Sequence, residues 1–171
     1  IGMFYIQADR AEEGIDFYLQ KNIRPAYYLF KMSRNLAEKG QYELTRKTLN
    51  QALELSSDKA QKNNDELHAD IRLFQLEFYR NFAQADHFVE TAEALSKEKL
   101  NEQQRDEAIQ KTREYSGYLQ IRLTENAKKN IRTYDPEHLK RIINLFNTLK
   151  VLDPIKAFQY AYYQGETNFS L

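Results

Sequence analysis

The residues of this chain best placed to do chemistry are two histidines with acidic neighbours, His87 with Glu90 and His68 with Glu66. Metal centres and hydrolytic sites on helices need His and carboxylates about one turn apart, with three or four ligands converging. One His and one Glu supply two ligands at most, so each pair reads as a surface histidine beside a carboxylate. No glycine-rich phosphate loop, nucleophile elbow or paired His–Glu signature occurs elsewhere. With no cysteine in the chain, thiolate metal sites, disulfides and cysteine nucleophiles are excluded together. The expectation is a protein that is not an enzyme, with no catalytic residues, metal or cofactor.

Charge narrows the partners. Lys plus Arg number 25 and Asp plus Glu number 25, so no net charge draws the chain to nucleic acid or anionic lipid. A basic cluster, Lys128, Lys129, Arg132, Lys140 and Arg141, brackets a turn at 133–136, but Asp135 and Glu137 dilute it, and nucleic-acid binding is not expected. No apolar run approaches the about 18 residues of a membrane helix, so no insertion is expected within this chain. The start at Ile1-Gly2-Met3 suggests a fragment or a processed product. A cytoplasmic setting is favoured over export or a tether supplied by a missing N-terminal segment. The oligomeric state is left open.

What must position any functional residue is a set of helices. Gly and Pro are few, five and three, while strong helix formers are plentiful, which predicts an all-α fold. Twelve Tyr and ten Phe with no Trp put many large rings with polar tips on those helices. The spacing of Phe4, Ala8, Ala11, Ile15 and Tyr18 predicts one first helix over about 3–20, with Asp9, Glu12, Glu13 and Asp16 on its solvated side. Asn22 and Pro25 close it and open the next. Over 26–57, Leu29, Met32, Ser33 and Leu36 precede Gly40, and Thr45, Leu49, Ala52 and Leu53 follow it, which predicts two helices folded back through a glycine turn. A polar connection over 56–66 leads to a second, degenerate unit over 66–97, with Leu73, Leu76, Ala85, Val89 and Ala92 in the corresponding places and Arg80 where Gly40 stood, although Asn81 and Gln84 still allow a turn near Phe82.

Asn101 and Gln104 predict a capping box opening a long helix over 102–131, with Ala108, Thr112, Tyr115, Leu119, Leu123 and Ala127 as its buried stripe. Tyr118 and Ile121 suggest a second, partly covered face, and Gly117 within it is read as a close-contact point. Asp135-Pro136 and Asp153-Pro154 each predict an Asp cap followed by Pro at the first helical position. Two helices then fill 136–164 as a C-terminal cap. Leu139, Ile142, Ile143, Phe146 and Leu149 are the expected inner face of the first, Ile155, Phe158, Ala161 and Tyr162 that of the second, and Gly165 its stop.

The unit at 26–57 resembles the tetratricopeptide repeat, a helical hairpin of about 34 residues. Ser33 takes the family's small-residue place, Tyr42 its aromatic, and Ala52-Leu53-Glu54-Leu55 its ending, whereas Thr45 replaces an alanine and Ser57 a proline. The resemblance implies a single domain over 1–171: a short right-handed α-solenoid of seven or eight antiparallel helices with a helical cap. It also implies that the first helix of each unit lines a concave groove. Carried onto this chain, the groove places are Tyr27, Phe30 and Arg34, then Leu67, Asp70, Phe74 and Glu77. Phe30 and Arg34 stand where a family member that captures a C-terminal carboxylate has Lys and Asn, so that capture is not implied. The expected function is a scaffold or adaptor that binds a peptide segment or partner helix. The alternative is a regulatory domain of a larger protein that senses a ligand or peptide.

Overall fold

The computed structural model describes residues 2–21, 24–57, 64–128 and 136–169, with backbone only at 64, 126–128 and 169. All regular structure among them is helical. In order these are α1 (Gly2–Gln7), α2 (Ala11–Lys21), α3 (Pro25–Glu38), α4 (Tyr42–Ser56), α5 (Asn64–Asn81), α6 (Ala85–Leu95), α7 (Glu102–Lys128), α8 (Pro136–Leu152), a single 3-10 turn (Pro154–Lys156) and α9 (Ala157–Phe169). The chain divides into two compact units whose boundary, between Phe78 and Tyr79, falls inside α5.

The first unit is built on α3, which packs against α4 and also against α1 and α2. Pro25 opens α3, where its missing N–H costs nothing. Leu29, Met32, Ser33 and Leu36 of α3 and Thr45, Leu49 and Ala52 of α4 are all buried. Between the two helices Gly40 takes a left-handed φ of 70°. Its N–H donates to the Ala37 carbonyl at 2.9 Å and that of Gln41 to Leu36 at 3.0 Å, which satisfies the carbonyls that the helix end leaves open.

The expected single first helix is two. Asp9 sits at φ 58°, with its N–H donating to Ile6 and that of Arg10 to Tyr5, the same closing pattern as at Gly40 but without glycine. Asp tolerates this conformation better than most residues, and no glycine signals it in the sequence. The break lets α1 fold back on α2: Gly2 donates its N–H to the Tyr18 hydroxyl at 2.8 Å. Ile6 is therefore buried, whereas Phe4 and Ala8, expected inside, are exposed. A Cβ at Gly14 would stand 2.9 Å from the Tyr5 Cβ, so glycine is what permits this close crossing.

The second unit is built on α8, which packs against α6, α7 and α9 through Ile142, Leu145, Phe146, Leu149 and Leu152. α5 and α6 are joined by a turn at Ala83, φ 55°, with N–H bonds from Ala83 to Arg80 and from Gln84 to Tyr79. The residue corresponding to Gly40 is thus Ala83 and not Arg80. Phe88 then corresponds to Thr45, Ala92 to Leu49 and Leu95 to Ala52, all fully buried. An extra three residues before the turn shift the register that the sequence suggests.

At the start of α7 the capping box forms: Asn101 Oδ1 accepts from the Gln104 N–H at 2.9 Å, and Gln104 Oε1 from the Asn101 N–H at 3.2 Å. Ala108, Thr112, Tyr115, Leu119 and Leu123 are buried as expected. Tyr118 and Ile121, the suggested second face, are exposed. Gly117 makes no close contact, since an added Cβ would meet nothing within 4 Å. The expected cap Asp135 and the end of the long helix beyond Lys128 lie outside the described residues, as do Asn22 and the side chain of Ala127.

The last helix departs most from expectation. Asp153 makes no capping bond with its side chain. Its carboxylate instead accepts the Tyr160 hydroxyl at 2.9 Å, and burial together with that carboxylate pushes the hydroxyl's pKa up to about 12. α9 runs through Gly165 to Phe169. Tyr160 and Thr167 face inward, while Ile155, Phe158, Ala161 and Tyr162, the expected inner face, are exposed.

Candidate partner-binding face on α3 and α5

α3 turns Leu29, Met32, Ser33 and Leu36 inward, so helical geometry sends Tyr27, Phe30 and Arg34 to another side. On α5 the buried set includes Ala69, Leu73, Leu76 and Phe78, which leaves Asp70, Phe74 and Glu77, at i, i+4 and i+7, along one stripe. Several contacts anchor α5 to α4. Gln75 Nε2 donates to Asn50 Oδ1 at 3.2 Å, Ser56 Oγ lies 2.8 Å from His68 Nδ1, and the Tyr42 and Phe78 rings stack at 5.2 Å.

Three of the expected residues come together. The Phe30 and Phe74 rings meet edge to face at 5.8 Å, and the Arg34 guanidinium lies over the Phe74 ring, 5.6 Å from its centroid. Both rings are half-buried and Arg34 is exposed. Such contacts each contribute about 0.5–1 kcal/mol at exposed sites and hold the side chains in place. Asp70 and Glu77 are exposed on the flanks of Phe74, and Leu67, half-buried, lies one turn before Asp70.

Tyr27 belongs to a separate cluster. Its half-buried ring is bracketed by Arg24 at 4.8 Å and Lys31 at 4.7 Å. A hydrogen bond with Lys31 lowers the pKa of its hydroxyl. Arg24 and Lys31 were not singled out from the sequence, although their spacing from Tyr27, three before and four after, is the helical signal for such contacts. The face therefore carries aromatics with cations from α3 and carboxylates from α5.

The two histidine pairs have other partners. His68 is held at Ser56, and His87, 3.4 Å from Glu90, also packs its ring on Tyr79 at 5.1 Å. Among the described residues no three His, Cys, Asp or Glu side chains gather as a metal site would need, and no helix is long and apolar enough to cross a membrane. Of the basic cluster, Lys140 pairs with Glu137 and Arg141 with Asp86; Lys129, Arg132 and the Lys128 side chain lie outside the described residues. A cavity of about 640 Å³ between α2 and α4 was not foreseen. Of the charges that line it, Arg46 pairs with Glu43 and Lys47 with Glu12.

The class that fold and site define is an all-helical protein with a mixed aromatic and charged face. No family model matches the chain, and no curated protein or solved structure does. The resemblance to the tetratricopeptide repeat thus rests on the chain's own residues.

Proposed function

We propose that this chain is a non-catalytic interaction domain that holds a peptide segment or partner helix against the face formed by Tyr27, Phe30, Arg34, Asp70, Phe74 and Glu77. The observation that carries it is the Phe30–Phe74–Arg34 cluster, half-exposed yet ordered by its own ring and cation contacts. Aromatics and Arg held this way supply contact area with little rotamer entropy left to lose, the character of interface hot spots. The architecture proposed with it is a short right-handed tetratricopeptide-like solenoid, with α8 and α9 as its helical cap. The buried hairpin α3–α4 and the matching turns at Gly40 and Ala83 support that reading.

The test is selection of peptides from a displayed library on the immobilised chain, followed by titration of the selected sequences against parent and variant. A Phe30→Ala, Arg34→Ala, Phe74→Ala triple variant with unchanged helicity should bind them at least about thirtyfold more weakly, the loss of about 2 kcal/mol expected of a hot-spot cluster. Equal binding by parent and variant removes this face from consideration.

A further inference from the structure

α9 carries its apolar stripe on the outside. Ile155 is 94% exposed, Phe158 88% and Tyr162 57%, with Val151 of the adjoining last turn of α8 at 58%. Together they offer on the order of 500 Å² of apolar surface, at the upper end of what one monomer shows in a single patch. The opposite side of α9 is held down by polar bonds: Tyr160 to Asp153, Lys150 to Gln164 at 2.6 Å and Gln120 to Thr167 at 2.6 Å. Turning the stripe inward would break all three.

We propose that α9 pairs with the α9 of a second copy of this chain, antiparallel, about a two-fold axis passing between Ala161 and Tyr162. The stripe is complementary to itself only in that arrangement. Phe158, Ala161, Tyr162 and Gly165 lie at i, i+3, i+4 and i+7, so large and small residues alternate along one side. Antiparallel pairing about this axis sets each Phe158 over the Gly165 of the other copy, where an added Cβ would find open space within its own chain. Ala161 faces Ala161 of the other copy, which lets the helices approach closely, and the two Tyr162 rings meet beside it. Parallel pairing would oppose Phe158 to Phe158 and leave a void between the glycines.

Charge selects the same direction. Glu166, whose carboxylate accepts the Tyr162 hydroxyl at 2.7 Å, stands one residue past Gly165 and so toward the end of the pair. The two Glu166 carboxylates lie at opposite ends of the pair, whereas parallel helices would set them side by side. In this register Val151 lies beyond the end of the other copy's α9, so the paired stripes remove somewhat less than about 1,000 Å² from water, the size of a weak interface, and the dimer forms reversibly with modest affinity.

The experiment uses the 171-residue chain, which contains no cysteine. Sedimentation equilibrium from micromolar to near-millimolar concentration should fit a monomer–dimer equilibrium. Phe158→Glu, at a side chain that is almost wholly exposed, and Gly165→Leu, where an added Cβ meets nothing within 4 Å, should each weaken it by about tenfold or more with helicity unchanged. Ala161→Cys places one thiol beside the axis and should form a disulfide-linked dimer under mild oxidation, while Val151→Cys, away from the axis, should not. A parent that stays monomeric throughout overturns the proposal. So does a dimer insensitive to Phe158→Glu, or one that Val151→Cys links and Ala161→Cys does not.

Discussion

Arg141 of α8 grips Asp86 in the first turn of α6 through two parallel hydrogen bonds, Nε to Oδ1 at 2.6 Å and Nη2 to Oδ2 at 3.0 Å. This fork joins α6 to α8 from outside the apolar core that Phe88, Val89, Ile142 and Phe146 form within the same unit. The hydrogen bond to Arg141 lowers the Asp86 pKa.

A depressed carboxylate pKa stabilises the fold above the unfolded value of about 3.9, and the contribution is lost as pH falls through the folded value. Asp86→Asn should therefore lower the melting temperature near neutral pH and make little difference in acid below the folded value, where parent and variant are both neutral at this position. The Asp86 side chain is 66% exposed, so solvent screening holds the neutral-pH effect to about 0.5–1 kcal/mol. Thermal melts of both proteins at the two pH values check it; a gap that persists in acid would mean that the pair is not its source.

Gly40 and Ala83 close equivalent turns at φ 70° and 55°, but only Ala83 carries a Cβ that this conformation disfavours. Ala83→Gly should stabilise by roughly 0.5–1 kcal/mol and Gly40→Ala should destabilise by about 1 kcal/mol, because both positions are exposed and no packing offsets the backbone term. Denaturant midpoints moving in these opposite directions would confirm that the second turn lies at Ala83.

The same substitution at two helical glycines should also have opposite effects. Gly117→Ala enters open space on α7 and should stabilise by up to about 1 kcal/mol. Gly14→Ala would press on Tyr5 and on Met32, 3.1 Å away at its Cε, and should cost about 1–3 kcal/mol despite the better helix propensity. Urea unfolding of both variants tests whether α1 folds back on α2.

Ala52 is 0% exposed on α4, the helix that packs against α3. Ala52→Arg combines overpacking with an unpaired buried charge, and a loss of several kcal/mol, about 4 or more, should leave the first unit unfolded at room temperature. Circular dichroism of that variant gives the answer directly; parent-like melting would mean that Ala52 does not lie in the core.

Local chemistry in the sequence determined the helical content, the turn at Gly40, the buried face from Leu29 to Ala52 and the Asn101–Gln104 box. Each of these depends on neighbours within a turn or two, where apolar spacing, a missing Cβ or a short side chain near free N–H groups acts in the same way in any context. The tight turn at Asp9 was not legible, and at 82–84 the sequence allowed a turn near Phe82 without marking Ala83 as its left-handed residue, because the closing bonds depend on the helices that each turn brings together. Of the candidate face, Phe30, Arg34 and Phe74 were readable as positions, but their mutual contact belongs to the packing of α3 and α5. α9 shows the limit most plainly. Its periodicity marked Ile155, Phe158, Ala161 and Tyr162 as one stripe, and only the tertiary structure decided that the stripe faces out. Asp153, Lys150 and Gln120 supply bonds to the other side of α9 that exist once α7 and α8 are in place, and these polar anchors set the helix's rotation.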